Sequence, residues 1–181
     1  MRLFEKGSPS GEAVLTWWES LQRSPGDRAN LRRCSTPAET VFIPASHRMI
    51  GEIKETSKDK IELSYDRLCA IAGILAHIKE NSSQTFSKQM SQKKPGSDQA
   101  LVSDIRFRRV LQSSSIVEDE LFFQKIIRVI HHLDQKANIL DIVASLYFWG
   151  DSVKKRWAYD YYGTSNPSEN ENNTTLQGIQ S

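Results

Sequence analysis

The chain has 181 residues, 24 of them Lys or Arg and 22 Asp or Glu, for a formal net charge of +2. A hydrophobic fraction of 38% with a mean hydropathy of −0.51 predicts a real core plus much polar chain outside it. So small a net charge excludes any argument for a nucleic-acid partner from composition alone, and leaves only local clustering to supply one. The stretch 163–181 holds no Lys or Arg and two acids, Glu169 and Glu171; leaving it out raises the net charge only to +4. Cys34 and Cys69 are far apart in apolar contexts, which fits buried small hydrophobes and neither a metal pair nor a redox pair. The N-terminus lacks the apolar core of a signal peptide, and the longest apolar stretch, 68–78, is about half a bilayer span. Those features predict a soluble, cytoplasmic protein with no membrane partner.

Helical periodicity recurs along the chain and strand signals are nearly absent. Val14, Trp17, Trp18 and Leu21 fall on one face of a first helix that stops before Pro25-Gly26. A short helix is expected over 27–34, and another opens near Pro37. Residues 43–63 read as polar and irregular. The segment 66–78, with Leu68, Ile71, Ile74, Leu75 and Ile78, is apolar on nearly every side, as suits the centre of a bundle. From 81 to 102 the composition turns to Ser, Gln and Lys around Pro95-Gly96, and a flexible linker or loop is expected. A second helical group follows over 103–112, 117–135, 138–149 and 151–162, with 138–149 apolar all round. Disorder is expected over 163–181. The fold class is therefore all-α: an N-terminal bundle over 10–80 and a C-terminal bundle over 103–162, joined by a flexible polar segment.

Four helices carry basic clusters. At about 100° per residue, Phe107, Val110 and Leu111 share one side of their helix, and Arg108 and Arg109 leave from the other with Arg106 on the flank. Lys125 and Arg128 line the polar side of the long helix together with His132, and Lys154, Lys155 and Arg156 lie away from the Val153, Trp157, Tyr161 stripe. Arg28 and Arg32 are one turn apart, with Arg33 beside them. Like charges one turn apart repel by a few tenths of a kcal/mol, and the guanidinium fork suits phosphate oxygens. No carboxylate stands on the face of Arg28 and Arg32 or of Arg108 and Arg109. These clusters point to a surface that holds nucleic-acid backbone, against the plainer reading that each is a solvated face. His131-His132 lacks metal spacing, and His77, on an apolar helix, is expected to be a satisfied core residue. No nucleophile–base pair, phosphate-cradling glycine loop or carboxylate cluster is found, so no catalytic residue, metal or cofactor is expected. The run Glu118-Asp119-Glu120 opens a helix, where its charge suits the dipole.

The ordered motifs carry a resemblance. Trp17-Trp18-x-x-Leu21 precedes Gly26-Asp27-Arg28-Ala29-x-Leu31-Arg32-Arg33 and Pro37. Then come Arg106-Phe107-Arg108-Arg109-x-Leu111, Ala137-Asn138-Ile139-x-x-Asp141, and Trp149-Gly150-Asp151-x-Val153-x-x-Arg156-Trp157-Ala158-x-x-Tyr161-Tyr162. Over about residues 10–162 this resembles the CasB family, the small subunit of the type I-E CRISPR surveillance complex called Cascade. The resemblance implies an all-helical, non-catalytic subunit, present as a pair, that lies along guide RNA among the other Cascade subunits. It would steady the guide–target heteroduplex and the displaced DNA strand. In such systems base pairing reads sequence and protein supplies backbone electrostatics. Arg28, Arg32, Arg33, Arg106, Arg108, Arg109, Lys154, Lys155 and Arg156 map onto the motifs; Lys125 and Arg128 come from the helix face alone. Two other readings stand beside it. One is a helix-turn-helix regulator with its turn at 148–151, disfavoured because the helix after it has almost no Asn or Gln to read base edges. The other is a helical adaptor that binds only protein.

Overall fold

The computed structural model describes residues 3–56 and 62–164. Along these run α1 (Pro9–Gln22), α2 (Pro25–Arg33), α3 (Pro37–Thr40), α4 (Pro44–Thr56) and α5 (Tyr65–Leu75). After the two-residue strand β1 (Glu80–Asn81) come α6 (Phe86–Ser91), α7 (Asp104–Leu111) and α8 (Glu120–His132), then β2 (Lys136–Ala137), α9 (Ile139–Tyr147) and α10 (Asp151–Tyr162). The fold is all-α, and none of its described helices is long and apolar enough to cross a membrane.

Local chemistry sets most helix starts. Each of the first four helices opens on proline, whose missing N–H costs nothing in the first turn. Ser8 caps α1 by accepting from the Gly11 N–H at 3.0 Å, and Thr36 with Glu39 forms a capping box on α3. The acidic run before α8 has a defined role: the Asp119 carboxylate caps the helix by accepting from the Phe122 N–H at 2.9 Å. Asn138 caps α9 at 3.0 Å from the Asp141 N–H.

The two apolar segments are the centre of the molecule, as their patterning predicts. Every residue from Leu68 to Ile78 is buried, and α5 packs against α3, α4, α8 and α9. Both cysteines are buried and free.

Two expectations are corrected. Residues 44–56, read as irregular, form α4, because Ala45, Met49 and Ile53 fall at i, i+4 and i+8 and are completely buried. The Trp17 indole N–H donates to the Ala45 carbonyl at 2.9 Å, fixing α4 to α1. Residues 57–61 lie outside the described residues. The segment 81–102, read as a flexible linker, is built structure. Phe86 and Met90 are fully buried on α6, the Phe86 N–H donates to the Asp141 carboxylate at 2.7 Å, and the Asp160 carboxylate accepts the Thr85 and Ser87 hydroxyls at 3.0 and 2.7 Å. Thr85, Phe86 and Ser87 thereby bond to α9 and α10.

The two helical groups share one core that runs from Phe4 to Trp157. Strands β1 and β2 pair in parallel, Glu80 with Lys136 and Asn81 with Ala137, and the Asn81 side chain accepts from the Ile139 N–H at 3.1 Å. Gly163, at φ +71°, ends α10 in the left-handed conformation glycine favours. Of the tail expected to be disordered, residues 165–181 lie outside the described residues.

Candidate nucleic-acid interface

Helices α7 and α8 build the site together. On α7, Phe107 and Val110 are buried, and the Phe107 ring stacks on Tyr161 with centroids 3.9 Å apart and planes 6° apart. That anchorage turns Arg106 and Arg109 outward, where both are exposed. On α8, Phe122, Phe123, Ile126 and Ile130 fill the core, leaving Lys125, Arg128 and His132 at i, i+3 and i+7 on the open face.

The two open faces meet across a groove of about 270 Å³. Its walls are Arg106, Arg109 and Val110 from α7 and Lys125, Arg128, Val129 and His132 from α8. No carboxylate lines it. Lys125 closes one end, its ammonium donating to the Arg109 carbonyl and the Ser113 hydroxyl, each at 3.1 Å. That contact stabilises the negative end of α7 and leaves one ammonium proton free for a ligand. Among the described residues Arg106, Arg109 and Arg128 form no ion pair. Burial, then the charges of Arg106, Lys94 and His131, hold the His132 imidazole below its ordinary range. Four cations around one concave surface focus a positive field on it.

The other sequence candidates lie elsewhere, and several are engaged internally. Arg28 is half-buried: its Nε–H donates to the Ala76 carbonyl at 3.0 Å and its Nη2 to the Ile78 carbonyl at 3.4 Å, closing the C-terminal end of α5. Arg156 is not on an open face. Its guanidinium bonds the Ser145 hydroxyl at 2.6 Å and pairs with the Asp141 carboxylate at 3.3 Å, where Asp141 is 10% exposed. Burial nevertheless raises the Asp141 carboxyl above its ordinary range, with the Phe86 N–H and Arg156 opposing it. Arg108, taken to lack a carboxylate on its face, pairs with Asp104 one turn back at 3.0 Å. Arg32 and Arg33 are exposed at the end of α2, Arg33 reaching the Asn30 side chain at 3.3 Å. Lys154 sits 5.7 Å from the Trp149 ring centre, and Lys155 is exposed. The structure therefore gathers Arg106, Arg109, Lys125 and Arg128 and leaves the rest outside the groove.

His132, which helical spacing puts beside Lys125 and Arg128 on the polar side of α8 but which is not among the sequence candidates for the site, joins the gathered set. His77 differs from expectation: it is buried, but neither ring nitrogen has a partner. Among the described residues no group of His, Cys, Asp or Glu could hold a metal ion.

The model of the family described as CRISPR-associated protein Cse2 matches residues 27–162, three-quarters of the chain. The chain belongs to the CRISPR-associated Cse2 family. This is the family that the motif resemblance names CasB. The Cse2 match takes in α7, α8 and the whole groove. The fold is shared with a chain in the crystal structure of E. coli Cascade bound to a PAM-containing dsDNA target, at a TM-score of 0.60 and 14% identity. That similarity covers 83% of this Cse2-family chain and 94% of the other. A comparison with curated protein sequences gives no match.

Proposed function

We propose that the chain is a non-catalytic subunit of a Cascade-type CRISPR surveillance complex, and that its α7–α8 groove holds nucleic-acid backbone to stabilise the R-loop. One observation carries the reading: Arg106, Arg109, Lys125 and Arg128 converge on one groove that no carboxylate lines. R-loop formation exchanges one duplex for another of similar stability, so a few phosphate contacts tip it. Such contacts need no sequence reading, and the groove offers none, because its polar lining is cationic apart from His132. Family membership supports the assignment to the complex. The partners under this reading are guide RNA, the target and displaced DNA strands, the other subunits and a second copy of the chain.

The test is target retention by the reconstituted complex with Arg106, Arg109 and Arg128 changed together to Gln. The expected result is a shorter R-loop lifetime and a shallower salt dependence, by about 0.7–0.9 in the log–log slope for each phosphate no longer neutralised. Arg28→Ala and Arg156→Ala serve as controls, lowering stability by about 1–3 kcal/mol and leaving that slope unchanged. An R-loop lifetime unaltered in the triple variant would overturn the assignment.

A further inference from the structure

We propose that the hairpin over residues 92–101 is a second wall of this site, with Lys94 holding the phosphate next to the one held by Arg106. The inference rests on the backbone-binding reading of the α7–α8 groove.

The hairpin is rigidly built. Lys93 and Ala100 pair as an antiparallel bridge, the Lys94 N–H donates to the Gln99 carbonyl at 2.8 Å, and the Leu101 N–H to the Gln92 carbonyl at 2.7 Å. At the tip, the Ser97 N–H donates to the Lys94 carbonyl at 3.1 Å, with Pro95 and Gly96 as the central residues and Gly96 at φ +70°. This is a type II turn, which needs φ > 0 at its third residue and favours Pro before it. The base is tied down twice. The Val102 N–H donates to the Met90 carbonyl at 3.0 Å, and the Tyr161 hydroxyl donates to the Val102 carbonyl at 2.6 Å. Val102 and Met90 are themselves fully buried.

The two lysines differ in what their charges do. The Lys93 ammonium is paired with Asp98 across the hairpin at 2.9 Å. Lys94 has no ion pair among the described residues. It lines a recess of about 430 Å³ together with Gln99, Ser103, Asp104, Arg106 and Tyr161. Arg106 is also a wall of the α7–α8 groove, so the two hollows share one arginine. Asp104, the recess carboxylate, is already engaged by the Arg108 Nε–H at 3.0 Å and the Tyr162 hydroxyl at 2.5 Å. Lys94 also acts on His132 of the groove, so its charge is felt there. A free Lys and a shared Arg on adjoining hollows fit successive phosphates of one strand, and a preformed loop loses little entropy when the strand arrives.

The experiment measures binding of single-stranded DNA oligonucleotides by the full chain between 50 and 200 mM salt. With Lys94→Gln, the fall in affinity over that range is expected to be about threefold smaller than for the wild type, the share of one phosphate. Lys93→Gln is expected to bind as the wild type does. Gly96→Val, which strains the turn but keeps Lys94, is expected to weaken binding as well. In a parallel NMR titration, Lys94→Gln is expected to move the His132 imidazole upward toward its ordinary range. Wild-type salt dependence in Lys94→Gln, while Arg106→Gln and Arg128→Gln flatten it, would overturn the hairpin's role and leave the groove standing. Unchanged binding in all three would overturn the groove reading itself.

Discussion

Both ring nitrogens of His77 are buried without a hydrogen-bond partner, and its ring meets His131 edge-on with centroids 5.5 Å apart. Burial, then the charges of Arg32, His131 and Arg28, pull its imidazole down to about 4. The folded protein therefore keeps His77 neutral over a range in which the unfolded chain, with an ordinary value near 6.5, takes up a proton. Stability is full above about pH 6.5 and falls as the pH drops toward 4, by up to about 1.4 kcal/mol per pH unit. His77→Leu is expected to flatten that stretch, as read by urea unfolding at pH 7 and pH 5; an unchanged difference between the two would exclude His77 as its source. Arginine fates at this scale are only partly legible in the sequence. Helical periodicity gives the direction in which a side chain leaves its helix, which is right for Arg106, Arg109 and Arg128. It says nothing of where a long guanidinium ends. Arg28 bonds carbonyls 48 and 50 residues away, and Arg156 turns inward to Ser145 and Asp141. Of the two, Arg156 is the residue whose pattern marks it as facing out.

Among the elements, α5 shows how close the packing is. A Cβ on Gly73 would lie 2.6 Å from the Thr40 methyl and 3.2 Å from the Phe123 ring. Thr40 cannot swing away, because it is buried and its hydroxyl donates to the Pro37 carbonyl at 2.5 Å. Gly73 is thus where α3, α5 and α8 approach each other. Gly73→Ala gains up to about 1 kcal/mol in helix propensity, yet overpacking costs about 1–3 kcal/mol. The expected outcome is a net loss in chemical denaturation, and a gain would show that the neighbouring side chains relax freely. The apolar helices α5 and α9 are legible because their patterning repeats on every side. Helix α4 is not, because its buried stripe is narrow and interrupted by His47, Arg48, Glu52 and Lys54. Residues 81–102 mislead for a different reason. Their Ser, Thr and Gln side chains look like linker composition, and the Asp141 and Asp160 carboxylates that order α6 lie 55 or more residues further along.

At the scale of the molecule, the described residues share one core that does not divide. The sequence separates an N-terminal and a C-terminal helical group, but Tyr147 alone joins them three ways. Its hydroxyl accepts from the Ser64 N–H at 3.0 Å, its carbonyl from Arg67 at 2.9 Å, and its ring meets Phe4 at 5.2 Å. Thermal unfolding is expected to show a single transition, with far-ultraviolet dichroism and tryptophan fluorescence giving the same midpoint. Two separated midpoints would mean that the halves unfold independently. The groove, by contrast, is half visible in the sequence. Each of its faces can be read from one helix, but their meeting depends on how α7 and α8 pack.

The central position of α5 also bears on how the protein is made. Its buried residues, from Leu68 onward, leave the ribosome long before α8 and α9, two of the helices that cover them. Until those arrive α5 has α3 and α4, which precede it, to pack against, while the side that meets α8 and α9 stays uncovered. The β1–β2 pairing, which joins residues 56 apart, has to wait as well. Closure of the core therefore waits on the later helices, and the interval before they arrive is when aggregation or chaperone capture competes with folding.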